Sequence, residues 1–177
     1  RPGRAAAARM IPRLRAEFGG FDFVIANGEN SAAGFGLTEK VMRELFSAGI
    51  DVLTNGNHVW DKKDFIPMLD SEPNVLRPAN HPKGTPGRGF AVYEKNGEKL
   101  AVLCLQGRTF MPPLDCPFRT ADEEIMPGGT AFLSDAGMTG GHGGIIGMSA
   151  DSVMPKFLMG TPSRFEVCEE RVRFQGV

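Results

Sequence analysis

The tetrapeptide Gly56-Asn57-His58-Val59 carries two side chains suited to metal and acid-base chemistry, and it follows the apolar run Ile50 to Leu53. Asn57 offers a carboxamide oxygen, which can bind a hard cation, and His58 offers an imidazole, which can bind a metal or transfer a proton. Gly56 allows the chain to bend before them. The pair indicates phosphoester chemistry at the end of a strand. Taken alone, a histidine held by hydrogen bonds within an ordinary loop explains it equally well.

A second polar pair, Glu29 and Asn30, follows the preceding predicted strand in the same way. In open α/β sheets, ligands bind outside the carboxyl ends of the strands, so we expect both pairs at one edge. A carboxylate such as Glu29 can bridge two cations about 3.5–4 Å apart, an arrangement that clamps both oxygens of an in-line displacement. The alternative is a turn in which Asn30 and Ser31 cap the next element. Two such loops on consecutive strands favour a site.

The remaining polar candidates have less direct predicted roles. Asp61 is predicted to cap the helix that follows it, with orientation of the His58 loop as the alternative. Arg108 follows a strand and can contact a phosphate, although a structural salt bridge accounts for it equally well. His81 and His142 are expected to be solvent-exposed or to support the site from outside the ligand set. One carboxylate, two carboxamides and one histidine are too few to hold two cations, so a working site needs more ligands.

Hydrophobic periodicity and turn residues predict the elements that position these side chains. The predicted helices span residues 4–18, 38–48 and 61–69, and the predicted strands span 21–26, 50–54, 90–93, 99–105 and 130–134, with a terminal hairpin of 163–168 and 171–174. Asn96-Gly97 between two apolar runs is typical of a hairpin turn. The alternation of strands and helices predicts an α/β layered domain, with a mixed central β-sheet flanked by helices, over residues 1–177.

Composition limits the partners and the setting. The chain has 177 residues, with 20 Lys and Arg against 21 Asp and Glu, so no general field attracts DNA or an anionic membrane. Its three cysteines are widely spaced and odd in number, which argues against a disulfide scaffold or a zinc cluster. No apolar run approaches the roughly 18–20 residues that span a bilayer. These features predict a cytoplasmic protein with no membrane partner and no DNA partner.

Seven short motifs, spread over nearly the whole chain, resemble those of one family. They are Asn27-Gly28-Glu29-Asn30, Gly36-Leu37-Thr38, Gly56-Asn57-His58-Val59-Trp60-Asp61, Arg77-Pro78-Ala79-Asn80, Gly84-Thr85-Pro86-Gly87, Leu105-Gln106-Gly107-Arg108 and Asp135-Ala136-Gly137-Met138-Thr139-Gly140. The Gly-Asn-His element is similar to that of the calcineurin-like metallophosphoesterases in general, and the combined set resembles their YmdB-like bacterial branch.

This resemblance implies the layered metallophosphoesterase fold and metal-dependent hydrolysis of phosphoesters, with 2′,3′-cyclic nucleotides as the expected substrates. It implies a centre of two divalent metal ions, iron or manganese, with zinc as a further option. Glu29 resembles the bridging carboxylate, Asn30 and Asn57 resemble ligands of one metal each, and His58 resembles the proton donor to the leaving oxygen. A small-molecule phosphoester or cyclic nucleotide is the partner it implies, and a homo-oligomer is compatible with the sequence.

The chain also departs from the pattern of that family. Family members begin with a strand that ends in an Asp ligand, and they carry a His ligand and a His-x-His pair before the equivalent of Thr120-Ala121-Asp122; neither feature has a match here. We therefore expect the fold to lack its first strand and an internal segment, with a chain gap near residues 120–125. Two hypotheses follow: a phosphodiesterase whose visible site is incomplete, and a truncated or metal-free regulatory or binding protein that keeps the scaffold.

Overall fold

The computed structural model describes residues 2–124 and 137–176, without the side chains of residues 122–124. Five α-helices lie in these ranges: α1 (Pro2–Glu17), α2 (Glu39–Ser47), α3 (Met68–Ser71), α4 (Pro117–Glu124) and α5 (Ala150–Met159). The strands there are β1 (Ile25–Asn27), β2 (Val52–Thr54), β3 (Val75–Leu76), β4 (Phe90–Lys95), β5 (Glu98–Leu103), β6 (Gly140–Gly141) and β7 (Val172–Arg173). A single 3₁₀ turn spans Lys63–Phe65.

The first three strands form a parallel sheet in the order β1-β2-β3. Ile25 lies opposite Val52, and Leu53 lies opposite Val75. Because the strands run parallel, their carboxyl ends meet at one edge, and the loops that begin at Gly28 and Asn55 both leave from it. The predicted juxtaposition of the two polar loops is therefore observed.

The strands β4 and β5 form an antiparallel hairpin, as the sequence predicts. Its turn residues Asn96 and Gly97 have φ angles of 55° and 82°, the left-handed pair that a type I′ turn requires. An isolated bridge joins Leu76 to Arg88, and the Ala79 amide donates to the Cys104 carbonyl at 2.7 Å. The predicted mixed sheet thus consists of a parallel sheet and an antiparallel hairpin, which these local contacts hold together.

Helix α2 follows from its own sequence. Thr38 has extended backbone angles, and its Oγ1 accepts a hydrogen bond from the Val41 amide at 3.4 Å, which caps the first turn. Val41, Met42 and Leu45 lie on one face and are buried. Helix α1 buries a narrower stripe that includes Ile11.

The core consists of two apolar clusters on the two sides of the parallel sheet's centre. The larger cluster packs α2, the 3₁₀ turn and α3 beneath β2, and it includes Met42, Leu53 and Leu69, which are fully buried. The smaller cluster joins Val52 and Leu76 of the parallel sheet to the β4–β5 hairpin. Dense packing under the carboxyl edge fixes the ends of β1 and β2, from which the polar loops emerge.

Three local predictions need correction. The helix predicted over 61–69 is a 3₁₀ turn followed by α3, because Pro67, which has no amide hydrogen, stands between them. The predicted terminal hairpin is wrong, since β7 pairs antiparallel with β6, more than thirty residues earlier in the chain. The short helices α4 and α5 were not predicted. The strand predicted over 130–134 lies outside the described residues.

The chain gap that we expect near residues 120–125 stays a prediction. It overlaps helix α4, which runs to Glu124, the last residue of the first described range. Among the described residues, no helix has both the length and the hydrophobicity of a membrane span.

Candidate active site

A cavity of about 300 Å³ opens at the carboxyl edge of the parallel sheet. Three segments surround it: the loop after β1, the loop after β2 and the segment after β5. Its lining residues are Asn27, Glu29, Asn55, Gly56, Asn57, Leu105, Gln106, Gly107, Thr109 and Met111. Most of the polar groups among them are amides, and Glu29 is the one charged side chain. The cavity therefore offers mainly oxygen and amide groups to a ligand.

The carboxylate of Glu29 joins the two polar loops. Its Oε1 accepts a hydrogen bond from the backbone amide of His58 at 2.9 Å. The amide of Glu29 donates in turn to Oδ1 of Asn27 at 3.0 Å, which fixes the start of the loop. A carboxylate that accepts a backbone N–H gains a charge-assisted hydrogen bond, so this contact holds the loops in a defined relation. Glu29 and the Gly-Asn-His element thus form one structural unit.

Gly56 is required for space. A Cβ added at Gly56 would lie 2.3 Å from Oε2 and 2.6 Å from Oε1 of Glu29. Its φ angle does not lie in the left-handed region, unlike that of Gly36, whose φ is 70°. The sequence predicted that Gly56 is there to let the loop bend. The structure gives a different reason: the Glu29 carboxylate lies so close to the backbone at Gly56 that a side chain has no room.

His58 forms a close pair with Asp61. The Nδ1 of the imidazole lies 2.7 Å from Oδ2 of Asp61. Asp61 does not cap the following 3₁₀ turn, whose N-cap position is Lys62 and which has no side-chain cap, so the predicted capping role was wrong. The prediction failed because Asp61 is three residues after His58 on a tight turn, and the two side chains meet. The edge of the Phe35 ring packs against the imidazole, with ring centroids 5.0 Å apart.

This pair has a chemical consequence. A carboxylate at Nδ1 orients the imidazole and leaves Nε2 as the nitrogen available for proton transfer. The loops shelter much of the imidazole, since the side chain of His58 is 29% exposed. The geometry suits a general acid at the residue that follows Asn57 of the cavity lining.

The structure separates the other predicted site residues. Asn57 lines the cavity and is half-buried. Asn30 is exposed and lies outside the cavity wall, where its backbone carbonyl accepts from Gly34 at 3.1 Å. Arg108 is also exposed; its neighbours Gly107 and Thr109 line the cavity, whereas Arg108 does not. The structure therefore brings together Glu29 and Asn57, and it leaves Asn30 and Arg108 at the periphery.

The other two histidines lie away from the cavity. His81 packs against Trp60 edge to face at 5.2 Å between ring centroids. Burial, with a smaller contribution from the positive charge of Arg77, lowers the pKa of His81. The Nε2 of His142 lies 2.8 Å from the backbone carbonyl of Met138.

Two cavity residues were missed by the sequence reasoning, Asn55 and Gln106. They are 2% and 8% exposed, and Oδ1 of Asn55 and Oε1 of Gln106 have no hydrogen-bond partner within the described residues. An unpaired buried amide oxygen costs about 1–3 kcal/mol. The available signal was positional, because each amide comes at or just past the end of an apolar strand, where ligands gather. Nearby, burial raises the pKa of the Cys104 thiol to about 12, which agrees with its predicted place in the core.

Asn80 holds the wall that contains Gln106. Its side chain is 1% exposed; Nδ2 donates to the carbonyls of Gln106 and Asp115, at 2.8 and 3.0 Å, and Oδ1 accepts from the Gln106 amide at 3.0 Å. One buried amide thereby ties the segment after β5 to the chain that follows β3.

The described donors do not fit a centre of two metal ions. Among the side chains that the structure describes, those of residues 2–121 and 137–176, no group of three or more His, Cys, Asp or Glu is arranged to hold a metal. Glu29 is the one carboxylate at the cavity, and Asp61 is engaged with His58. Neutral amide oxygens complete the donor set, and such a set is too small and too weakly charged for two cations.

Comparison with known proteins defines the family. The family model described as YmdB-like protein matches residues 1–122 and 119–177, two segments that overlap at residues 119–122 and together cover the chain. The chain belongs to this YmdB-like family. It is 37% identical over 226 residues to a 2′,3′-cyclic-nucleotide 2′-phosphodiesterase of Bacillus subtilis (strain 168), with 99% of this chain and 85% of that protein covered.

Solved structures agree with this assignment. A hypothetical protein from Thermus thermophilus superposes with a TM-score of 0.86 at 35% identity, covering 98% of this chain and 86% of that one. A phosphatase from Mycoplasma pneumoniae superposes with a TM-score of 0.82 at 24% identity, covering 94% and 79%, and shows the same fold. The resemblance of the sequence motifs to the YmdB-like family is thus confirmed.

Proposed function

We propose that this protein is a hydrolase that opens 2′,3′-cyclic nucleotides. The observation that carries the proposal is the contact between the Glu29 carboxylate and the His58 amide, which joins the two strand-end loops into one polar site. The 37% sequence identity between this chain and a 2′,3′-cyclic-nucleotide 2′-phosphodiesterase of Bacillus subtilis supports the choice of substrate.

His58 is the proposed general acid. Hydrolysis of a cyclic phosphodiester forms a P–O bond to water and breaks the P–O bond to a ribose oxygen, which must receive a proton as it leaves. The imidazolium of His58 can give that proton from Nε2 while Asp61 holds Nδ1. Arg108 is proposed to contact the phosphate from the periphery of the cavity, because its side chain is exposed there and carries a positive charge.

Metal binding is part of this proposal, with Glu29, Asn30 and Asn57 as ligands and iron or manganese, or else zinc, as the two divalent ions. These three residues do not suffice for two ions, so we propose that the remaining ligands belong to an internal segment that is absent from this sequence. Two facts support a missing internal segment. The alignment to the Bacillus protein runs over 226 residues, against 177 in this chain, and the two family matches meet at residues 119–122.

A second candidate function is that of a metal-free regulatory or binding protein on the same scaffold. The absence of a metal-type cluster among the described residues favours it. A protein of this kind would bind a ligand in the cavity without hydrolysing it. A cytoplasmic location is proposed for either function, since Cys104, Cys116 and Cys168 are free thiols.

The test is hydrolysis of 2′,3′-cyclic AMP by the purified protein after incubation with Mn²⁺ or Fe²⁺, together with its metal content. Glu29→Gln should lower kcat/KM by about a hundredfold or more, because it removes the charge that joins the site. Glu98→Gln, at an exposed position on the hairpin, is the matched control. Hydrolysis that is equal in the wild type and Glu29→Gln would exclude Glu29 from the reaction. Neither metal nor hydrolysis in the wild type would favour the binding protein.

A further inference from the structure

We propose that Asn27 and Thr109 donate hydrogen bonds to the phosphoryl oxygens of the substrate. The donors would be Nδ2 of Asn27 and the hydroxyl group of Thr109. The choice of ligand rests on the phosphoester hydrolysis proposed above. The inference assigns contact with the substrate to two residues that have no part in the proposed metal binding or proton transfer.

The first observation is that Asn27 and Thr109 are exposed polar residues of the cavity lining. Asn27 is the last residue of β1, and Thr109 lies in the segment after β5, so two different segments present them to the cavity. The other amide residues of the lining are less open, since Asn57 is half-buried, and Asn55 and Gln106 are 2% and 8% exposed. A ligand that enters the cavity can therefore reach Asn27 and Thr109.

The second observation is that the side-chain amide of Asn27 has its oxygen engaged and its nitrogen left over. Its Oδ1 accepts a hydrogen bond from the Glu29 amide at 3.0 Å. A backbone N–H can only donate, so the oxygen of Asn27 must face Glu29, and Nδ2 has no hydrogen-bond partner within the described residues. A donor that is fixed before binding loses less entropy when a ligand arrives.

The third observation is that Thr109 carries a second unengaged donor. Its hydroxyl group makes no hydrogen bond within the described residues. Thr109 lies in a turn that is closed by a hydrogen bond from the Met111 amide to the Arg108 carbonyl at 3.2 Å. The turn fixes the backbone beside the cavity, whereas the hydroxyl hydrogen can rotate to suit a ligand.

The charges of the lining explain why neutral donors are needed. The lining residues that the structure describes include one carboxylate, that of Glu29, and no lysine or arginine. A phosphate at the loops of Glu29 and Asn57, where metal binding is proposed, has several oxygens that need hydrogen-bond donors. Asparagine and threonine side chains are common donors to phosphate oxygens, so Asn27 and Thr109 supply the groups that the lining otherwise lacks.

The experiment is titration calorimetry with 3′-AMP, a phosphate monoester of a nucleoside, in buffer that contains Mn²⁺. The variants are Asn27→Asp and Thr109→Val, which keep the size of the side chain and remove the donor. We expect Thr109→Val to bind 3′-AMP about tenfold or more weakly than the wild type, since it loses one hydrogen bond to a charged group. Asn27→Asp should bind it about a hundredfold or more weakly, because a negative charge replaces the donor.

Asn27→Asp also separates contact with the substrate from support of the Glu29 loop. The new carboxylate can still accept from the Glu29 amide, so a purely structural role of Asn27 predicts unchanged affinity. Asn96→Asp and Thr161→Val are the matched controls, because both positions are exposed and lie outside the lining. Both controls should bind 3′-AMP as the wild type does.

Thr109→Val carries the test alone if Asn27→Asp fails to fold, because the exposed Thr109 hydroxyl has no bond within the described residues to lose. Equal affinity in the wild type and in either folded variant would overturn the proposal, as would an equal loss in the controls or the absence of 3′-AMP binding to the wild type. Weaker binding by Thr109→Val without any hydrolysis of 2′,3′-cyclic AMP by the wild type would uphold the donor pair and refute the proposed activity. Hydrolysis by the wild type with unchanged affinity in Thr109→Val would do the reverse.

Discussion

Replacing Gly56 with alanine tests whether the Glu29 carboxylate needs the bare backbone beneath it. The new Cβ would lie 2.3 Å from Oε2 and 2.6 Å from both Cδ and Oε1 of Glu29. Normal contact needs more than about 3 Å, so the carboxylate must move by about 1 Å. That movement would stretch its 2.9 Å hydrogen bond to the His58 amide beyond the range of a hydrogen bond.

The magnitude follows from that bond. A hydrogen bond to a charged group contributes about 1.5–3 kcal/mol. For a domain of this size, about 2–4 °C of Tm accompanies each kcal/mol, so Gly56→Ala should lower Tm by about 3–12 °C. Catalytic activity should fall as well, because the two strand-end loops lose their link.

The assay is thermal unfolding in a double-mutant cycle with Glu29→Ala, which removes the carboxylate that alanine at position 56 would strike. Gly56→Ala should be costly in the wild type and close to neutral in the Glu29→Ala background. Gly140→Ala is the control, since a Cβ there meets nothing within 4 Å. If Gly56→Ala lowers Tm equally in both backgrounds, the clash with Glu29 is not the reason for the glycine.

Two further predictions concern the histidines. Asp61→Asn should lower kcat for 2′,3′-cyclic AMP by about tenfold to a hundredfold, with little change in KM, because the His58 imidazole loses the carboxylate that orients it; an unchanged kcat would show that Asp61 does not position His58. Burial lowers the pKa of His81 below its ordinary value of 6.5, so the unfolded chain binds the proton first as pH falls, and stability is lost below about pH 6.5. Between about pH 7.5 and 5.5, Tm should fall further for the wild type than for His81→Phe; parallel falls would contradict this.

Elements specified by nearby residues could be predicted from the sequence. Helix α2 has its cap, its apolar spacing and its final glycine within a dozen residues, and the hairpin turn at Asn96-Gly97 is a local signal. The meeting of Glu29 with the His58 loop was also predictable, because parallel strands place their carboxyl ends at one edge.

Features that depend on distant contacts could not be predicted in this way. Gly141 lies opposite Val172 in the pairing of β6 with β7, and a Cβ added to Gly141 would lie 2.0 Å from the Cys168 carbonyl oxygen; no short window of sequence predicts either contact. The role of Gly56 depends on where the Glu29 carboxylate lies, 27 residues earlier in the chain. The unpaired oxygens of Asn55 and Gln106 belong to a cavity wall that exists only after three segments have come together.

The side chain of Asn80 gives the cavity wall a fixed boundary along the chain. Its bonds reach Gln106 and, at their far end, Asp115, whereas the two family matches meet further on, at residues 119–122. The segment up to Asp115 is therefore fastened independently of whatever length of chain follows. The position of Gln106 in the cavity wall therefore depends on Asn80 and on the chain up to Asp115, rather than on the residues that follow.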